Sequence, residues 1–197
     1  CPGVPDFYQG SELWDFRLVD PDNRGPVDFG ERSRLLESVV RQSDADLPSA
    51  ARDFVEHWPD GRIKLHVIRN SLAFRLKNDE LFSEGDFIPL EARGKRAEHV
   101  IAYMRRRSHL CALTVVPRWL AGSQGDSGQT DLRGFWQDTT LVFPREASHS
   151  WRNIFTDLAI SGQPSDDSQI LLVADLLAQF PVAVLIPADS ESSGKRN

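Results

Sequence analysis

The chain has 197 residues, of which 40% are hydrophobic and 26% charged, and its formal net charge is −6. This composition supports a packed core in one large domain or two small ones and argues against wholesale disorder. The negative charge argues against nucleic acid or an anionic membrane as the main partner, since both bind basic surfaces. No apolar run approaches the roughly 20 residues of a membrane span. Cys1 and Cys111 lack the spacing of a metal site, so we expect reduced thiols and a cytoplasmic protein.

The opening stretch, residues 1–30, is the densest in groups that bind polar ligands. Its prolines cannot continue helices or central strands, so the sequence predicts a long, ordered loop, which we call the opening loop. Such loops carry binding residues more often than they serve as plain connections. The alternative is a proline-stiffened surface connection whose acidic residues are only solvated, and spacing alone leaves both interpretations open.

The opening loop has the residue types of a sugar site. Sugars need aromatic faces for their C–H patches and paired hydrogen-bonding groups for vicinal hydroxyls. A calcium site is the weaker interpretation, because the glycine and terminal glutamate of a calcium loop are absent; we expect no metal and no other cofactor. The five histidines are scattered and are interpreted as structural or solvated. The aromatic candidates are Tyr8, Trp14 and Phe16, and the polar candidates are Gln9, Glu12, Asp20, Asp22, Asn23 and Arg24.

Three helices are predicted after the opening loop. Asp28 and Glu31 have capping-box spacing ahead of an apolar periodic run, and Pro59 ends the second run. The third run has a basic polar face, which we interpret as solvated or paired with carboxylates. The predicted helices span residues 30–42, 49–58 and 61–77, with a turn at 43–48, and the apolar positions of the third are Ile63, Val67, Ile68, Leu72 and Leu76.

Near residue 80 the apolar period changes from 3.6 to 2, which predicts a boundary between a domain at 1–80 and another at 81–197. Short apolar runs separated by turn residues are typical of an antiparallel β-sandwich. The run at 110–116 is nearly all apolar, so we expect a central strand buried on both faces. The other predicted strands span 87–90, 99–105, 139–143, 151–157, 169–174 and 181–186, with a mobile loop at 122–134 and a helical turn at 175–179.

Several stretches carry a resemblance to a known family. The segment PGVPDFYQGSELWDFRLVDPDNRGPVDF resembles the one that follows the last barrel strand in the maltooligosyltrehalose synthases of the alpha-amylase family. DGRIKLHVIRNSLAFR resembles their final barrel helix, and WQDTTLVFP and SWRNIFTD resemble their C-terminal domain. The synthases usually have two arginines where this chain has Arg24 and Gly25. The looser pattern of the wider alpha-amylase family is met by Gly3, Pro5, Tyr8, Gly10 and Glu12.

The resemblance implies an α+β fold, in which the terminal loop and helices of a (β/α)8 barrel precede an antiparallel β-sandwich. It also implies a retaining, intramolecular glycosyl transfer that turns the reducing-end α-1,4 linkage of a maltooligosaccharide into an α,α-1,1 linkage. The family's catalytic carboxylates lie on earlier barrel strands, so this chain is expected to be an inactive C-terminal part. Its expected partners are the missing barrel, the maltooligosaccharide that the whole enzyme binds and, through uncovered apolar surface, a second copy of itself.

The resemblance assigns the polar candidates of the opening loop, together with Tyr8, to the sugar subsites. We expect Arg24 to contact sugar directly, whereas Glu12 is either a contact or a buried brace. A stand-alone carbohydrate-binding or interaction module that uses Trp119, Trp136 and Trp151 is the alternative function. A complete glycosidase using the loop's own carboxylates is ranked last, because carboxylates on one loop cannot easily flank a bond from both faces.

Overall fold

The fold divides into a helical unit and a sheet-containing unit. The computed structural model describes residues 8–17, 24–120, 132–144, 147–165 and 167–188. The first unit covers residues 1–77 and the second covers 78–197. No helix in the described ranges is long and apolar enough to cross a membrane. The first unit contains α1 (Phe29–Ala45), α2 (Leu47–Glu56) and α3 (Arg62–Lys77), with a 3₁₀ turn at Trp58–Asp60.

A single residue, Asp46, ends α1 and begins α2. Its N–H donates to the carbonyl of Gln42 at 3.1 Å, and its carboxylate accepts the N–H of Ser49, also at 3.1 Å. Pro48 lies in the first turn of α2, where a helix needs no N–H donor. The predicted turn over residues 43–48 is therefore wrong, because one capping residue is enough to connect the two helices.

The third predicted helix is confirmed, but its buried face differs from the predicted one. Ile63, Leu65 and His66 are buried near the beginning of α3, where this helix contacts α1 and α2. Leu72 is exposed, and Leu76 is 83% exposed. The apolar residues of α3 therefore extend toward its end, where the described residues of this unit leave them exposed.

The described residues of the second unit form short strands, three short α-helices and a 3₁₀ turn at Ala97–His99. The described residues form two sheets, with the strand orders β1-β3-β4-β10-β6-β7 and β2-β5-β9-β8 as numbered below, and every pair in them is antiparallel. The α+β class and the antiparallel sheets are thereby confirmed. The elements are α4 (Asp79–Ser83), β1 (Asp86–Pro89), β2 (Glu91–Arg93), β3 (Val100–Arg107), β4 (Leu110–Pro117), α5 (Leu132–Trp136), β5 (Thr140–Pro144), β6 (Ser150–Asn153), β7 (Ala159–Ser161), β8 (Gln163–Ser165), β9 (Ser168–Leu172), α6 (Val173–Leu176) and β10 (Ala183–Pro187).

The hydrophobic core of the second unit contains residues from both sheets. On β3 the core residues alternate along the strand, as the sequence predicts. On β4, Ala112 and Leu113 are buried although they point to opposite faces, whereas Val116 is exposed. This strand is therefore buried on both faces only at its centre. The core includes Val100, Ala102, Met104, Leu113, Val115, Trp136, Leu141, Phe143, Trp151, Leu171 and Leu185.

Two further predicted boundaries are wrong. β6 ends at Asn153 and does not run to residue 157, because the Asn153 side chain accepts the N–H of Phe155 at 3.0 Å and its carbonyl accepts that of Asp157 at 2.9 Å. The predicted mobile loop at 122–134 lies mostly outside the described residues, and its last residues belong to α5. β2, β7 and β8 were not predicted, since three residues are too few to show alternation.

Candidate functional site in the opening loop

The structure describes residues 8–17 and 24–28 of the opening loop. Asp20, Asp22 and Asn23 lie outside the described residues, so their sugar contacts stay predictions. Tyr8, Gln9 and Arg24 are described and exposed. The described part of the candidate site consists of the two ends of the loop and the helices that hold them.

Glu12 holds the backbone of the opening loop to α1. Its Oε1 accepts the N–H of Gly10 at 3.1 Å, and its Oε2 lies 3.1 Å from Nε of Arg32. The Arg32 guanidinium also donates to the carbonyl of Gly10 and, at 3.1 Å, to that of Asp28. Of the two expected roles for Glu12, this geometry favours the brace.

The protonation of Glu12 agrees with that role. Burial raises the pKa of Glu12, but hydrogen bonds from the backbone of Glu12 and Gly10, followed by the hydrogen bond and charge of Arg32, outweigh it and hold the pKa below its ordinary value of 4.5. A general acid needs a carboxyl group that keeps its proton near neutral pH, which requires a raised pKa. Glu12 is therefore unsuited to be the acid of a complete glycosidase.

Lys64 of α3 holds the next part of the opening loop. Its Nζ donates to the backbone carbonyls of Ser11 at 2.5 Å and Leu13 at 2.9 Å, and it lies 5.8 Å from the ring centroid of Trp14. The Trp14 indole N–H in turn donates to the carbonyl of Trp58 at 2.6 Å. The sequence had predicted solvation or carboxylate pairing for the basic face of α3, and it did not indicate these contacts of Lys64 with backbone carbonyls.

The predicted carboxylate pairing does occur at the neighbouring arginine. Arg62 lies 2.7 Å from carboxylate oxygens of both Asp53 and Asp60. Asp60 also accepts the N–H of Arg62 at 2.9 Å, so it caps α3 as well as pairing with it. α3 therefore begins at a capped end, and the ammonium group of Lys64, in its first turn, makes the two contacts that hold the loop.

Two glycines allow the opening loop to pack this closely. Gly10 has φ +93°, and a Cβ there would lie 2.6 Å from Cγ2 of Val27. Gly61 has φ +81°, and a Cβ there would lie 2.9 Å from Cδ2 of Leu13. Only glycine adopts such φ values without strain and leaves room for these neighbours.

The described part of the loop therefore combines a fixed backbone with outward-facing side chains. The predicted aromatic candidates Tyr8, Trp14 and Phe16 are all exposed, as are Gln9 and Arg24. Among the residues described, no group of three or more His, Cys, Asp and Glu side chains is placed to hold a metal ion. This arrangement can stack against sugar rings and donate hydrogen bonds to hydroxyls.

Sequence reasoning missed the two cations that hold the loop, Arg32 and Lys64. Arg32 lies one helical turn after the N-cap residue Asp28, on the side of α1 from which the chain enters, which is a local signal for such a contact. Lys64 lies in the first turn of α3, but its partners are 51 and 53 residues away, and no local pattern indicates them.

The tryptophans named for a stand-alone module differ in their burial. Trp136 and Trp151 are fully buried in the core of the second unit, so their prediction as sugar-binding residues is wrong. Each is the kind of large apolar side chain that a small two-sheet core requires. Trp119 is 64% exposed.

Known proteins resemble this chain over most of its length. A mutant of maltooligosyltrehalose synthase from Arthrobacter ramosus has a similar structure, with a TM-score of 0.65 and 33% identity over 94% of this chain and 20% of that chain. Two curated relatives from strains of Mycobacterium tuberculosis, provisionally named maltooligosyl trehalose synthase, are 34% identical over 185 residues. These residues are 94% of this chain, which spans 19% of the length of each relative. No family model matches the chain.

These likenesses define the class: the chain is homologous to part of a carbohydrate-active enzyme. The relatives of this chain within that class are maltooligosyltrehalose synthases. The chain matches the C-terminal part of these enzymes. The resemblance carried by the opening motif is thereby confirmed.

Proposed function

We propose that this chain is the C-terminal part of a maltooligosyltrehalose synthase. The observation that carries the proposal is the similarity over 94% of the chain to about one fifth of such enzymes. In this proposal the opening loop and α1 to α3 are the end of a (β/α)8 catalytic barrel, and the two antiparallel sheets form a β-sandwich. The core shared by both sheets supports the second assignment.

The complete enzyme is proposed to be an isomerase. It breaks the α-1,4 bond next to the reducing end of a maltooligosaccharide and joins the same two sugars through an α,α-1,1 bond. A carboxylate nucleophile first takes the glycosyl group, and the released glucose, not water, then accepts it. The part of the enzyme that precedes this chain supplies the nucleophile and the acid/base, so the chain alone is inactive.

The opening loop contributes sugar contacts in this proposal. Loops at the C-terminal ends of barrel strands build the active site of such enzymes. Arg24 donates to sugar hydroxyls with the help of Asp20 and Asp22, and Tyr8 offers a face to a ring. Glu12 braces the loop. In the complete enzyme Arg24→Ala is expected to lower kcat/KM about tenfold or more while leaving the melting temperature unchanged, whereas loss of a brace lowers the melting temperature first.

Exposed apolar side chains on the helical unit support the proposal that another part of the complete enzyme covers this unit. Large apolar side chains that stay exposed on one unit mark a surface that another part of a protein covers. In the complete enzyme we assign that cover to the rest of the barrel, and in the isolated chain the same surface promotes self-association. The exposed residues are Phe29, Leu36, Trp58, Leu72 and Leu76.

A reducing compartment, the cytoplasm, is the proposed location. Cys111 is a free thiol, and burial raises its pKa, against a smaller opposing effect of Arg106. A thiol kept protonated and partly buried is a packing residue, and such thiols persist where glutathione keeps cysteines reduced.

An activity assay on the isolated chain tests the proposal against the glycosidase alternative. With maltohexaose as substrate, we expect neither new reducing ends nor a non-reducing, trehalose-type product. New reducing ends would identify a glycosidase, and a trehalose-type product from the pure chain would show that it holds its own catalytic carboxylates. Either result contradicts the proposal.

A further inference from the structure

Trp119 has an unusual position in the second unit. It follows β4 closely, is 64% exposed and has φ +54°, in the left-handed region. Bulky side chains rarely adopt this conformation, because Cβ then crowds the following carbonyl oxygen. A tryptophan usually gains free energy by burial, as Trp136 and Trp151 do in the same unit. At Trp119, in contrast, the backbone is strained and the indole stays exposed.

Three hydrogen bonds hold this backbone. The N–H of Arg118 donates to the carbonyl of His99 at 2.7 Å, which continues the β3–β4 pairing by one step. The Nε of Arg118 donates to the carbonyl of Glu98 at 2.6 Å, and Nδ1 of His99 lies 3.2 Å from the carbonyl oxygen of Trp119. The His99 ring packs edge-on against Phe135, with 5.2 Å between centroids. The strained conformation is therefore fixed by its surroundings, as it is at binding sites in general.

The indole itself is oriented by a cation. The guanidinium carbon of Arg118 lies 3.9 Å from the ring centroid of Trp119, which is within the range of a cation–π contact. The guanidinium covers one face of the ring, while most of the residue stays accessible. The Glu98 carboxylate is 71% exposed and lies 3.6 Å from Nε2 of His99, the residue whose Nδ1 contacts the Trp119 carbonyl. The indole thus has a cation over one face, and the residues that hold its backbone also carry an exposed carboxylate.

We propose that Trp119 is the stacking surface of a second glucan site, separate from the opening loop. The ligand is an α-1,4-linked glucose chain: the C–H face of one ring lies on the indole face that Arg118 leaves open, and hydroxyls of the chain meet the polar groups around the indole. Charged groups of both signs beside the ring favour a sugar over an apolar protein surface. This inference rests on the proposed function, since the maltooligosaccharide substrate defines the class of ligand.

The test is calorimetric titration of this chain with maltohexaose, using the parent chain and the variants Trp119→Ala and Trp119→Gly. Both variants are expected to weaken binding about tenfold or more, as loss of a central tryptophan contact does at other interfaces. Trp119→Gly suits the positive φ, so its melting temperature should equal or exceed that of the parent. If binding is lost while the melting temperature is kept, the indole acts by stacking on the sugar and not by stabilising the fold. Ile101→Ala, which removes an exposed apolar side chain from the same unit, is the matched control and should bind like the parent.

Two results overturn the inference: no binding of maltohexaose by the parent chain at millimolar concentration, or equal binding by the parent and both Trp119 variants. If the Trp119 variants instead reduce self-association and glucan binding is absent, the indole is a protein contact and the inference is wrong. The proposed function fails through a different measurement, the activity of the chain when it is joined to the rest of a synthase.

Discussion

Glu12 of the opening loop and Arg32 of α1 form an ion pair, with 3.1 Å between Oε2 and Nε. The same guanidinium donates to the carbonyl of Gly10, and the same carboxylate accepts the Gly10 N–H. The three residues therefore close a small network that fixes the loop next to its exposed end. Because Glu12 is engaged there, the proposed sugar contacts are assigned to its neighbours, Tyr8 and Gln9 before it and Arg24 after it.

Removing the brace is expected to destabilise the chain. Glu12→Ala removes the acceptor of the Gly10 N–H and one of the acceptors of the Arg32 guanidinium, at a cost of about 1 kcal/mol in the free energy of unfolding, since both groups are only partly buried. Urea denaturation measures this change. Glu31→Ala, which removes the exposed partner of Arg34, is the control and should leave the urea midpoint unchanged. Equal midpoints for the parent and Glu12→Ala would show that the loop is held in some other way.

The contribution of Glu12 should depend on pH. Its pKa in the folded chain lies below the ordinary value of 4.5, so its ionised form is favoured by folding. The stabilisation is fully present above the unfolded pKa and is lost as the pH falls through the folded pKa. The difference in unfolding free energy between the parent and Glu12→Gln is therefore expected to be constant near neutral pH and to shrink below about pH 4.5. A difference that grew on acidification would contradict the ion pair.

Lys64→Met should release the middle of the opening loop. The change keeps most of the aliphatic stem but removes the ammonium group that donates to the carbonyls of Ser11 and Leu13. Hydrogen bonds from a charged donor contribute about 1.5–3 kcal/mol, so amide hydrogen exchange in residues 8–17 should become at least tenfold faster. Lys77→Met, at the exposed end of α3, is the matched control. Unchanged amide hydrogen exchange in Lys64→Met would show that Lys64 does not hold the opening loop.

Replacing Trp151 with a small residue should destabilise the core of the second unit. This residue is fully buried and packs edge-on against Phe143, with 5.8 Å between ring centroids. Trp151→Ala is expected to cost about 3–5 kcal/mol in the free energy of unfolding, because it leaves a large cavity. Trp119→Ala removes a tryptophan of the same unit from an exposed position and should cost far less. Similar losses in the two variants would contradict the assigned core.

The sequence predicts the local features of this fold well. The Asp28 cap is confirmed, with 2.8 Å between its Oδ1 and the N–H of Glu31, because a cap depends on residues only three apart. The Glu31 carboxylate, which the predicted capping box assigns to the N-cap backbone, accepts hydrogen bonds from the Arg34 guanidinium. Alternation along β3 likewise predicts which of its residues enter the core.

The contacts that build the candidate site are of another kind. Glu12 and Arg32 are 20 residues apart, and Lys64 is more than 50 residues from its carbonyl partners. Such pairs depend on how the helices of the first unit meet, which no local period encodes. The sequence therefore predicted a candidate site in this loop, through its residue types and its resemblance, but not which cations hold the loop.

The most direct test of the account joins this chain to the N-terminal four fifths of the Arthrobacter ramosus synthase, in place of the stretch that it matches. The measurement is the loss of reducing ends from maltohexaose, with free glucose followed in parallel. If the chain is the C-terminal part of such an enzyme, the joined protein should consume reducing ends without releasing an equivalent amount of glucose, and the synthase portion lacking this chain should not. A stable joined protein that leaves the reducing ends of maltohexaose unchanged would contradict the account.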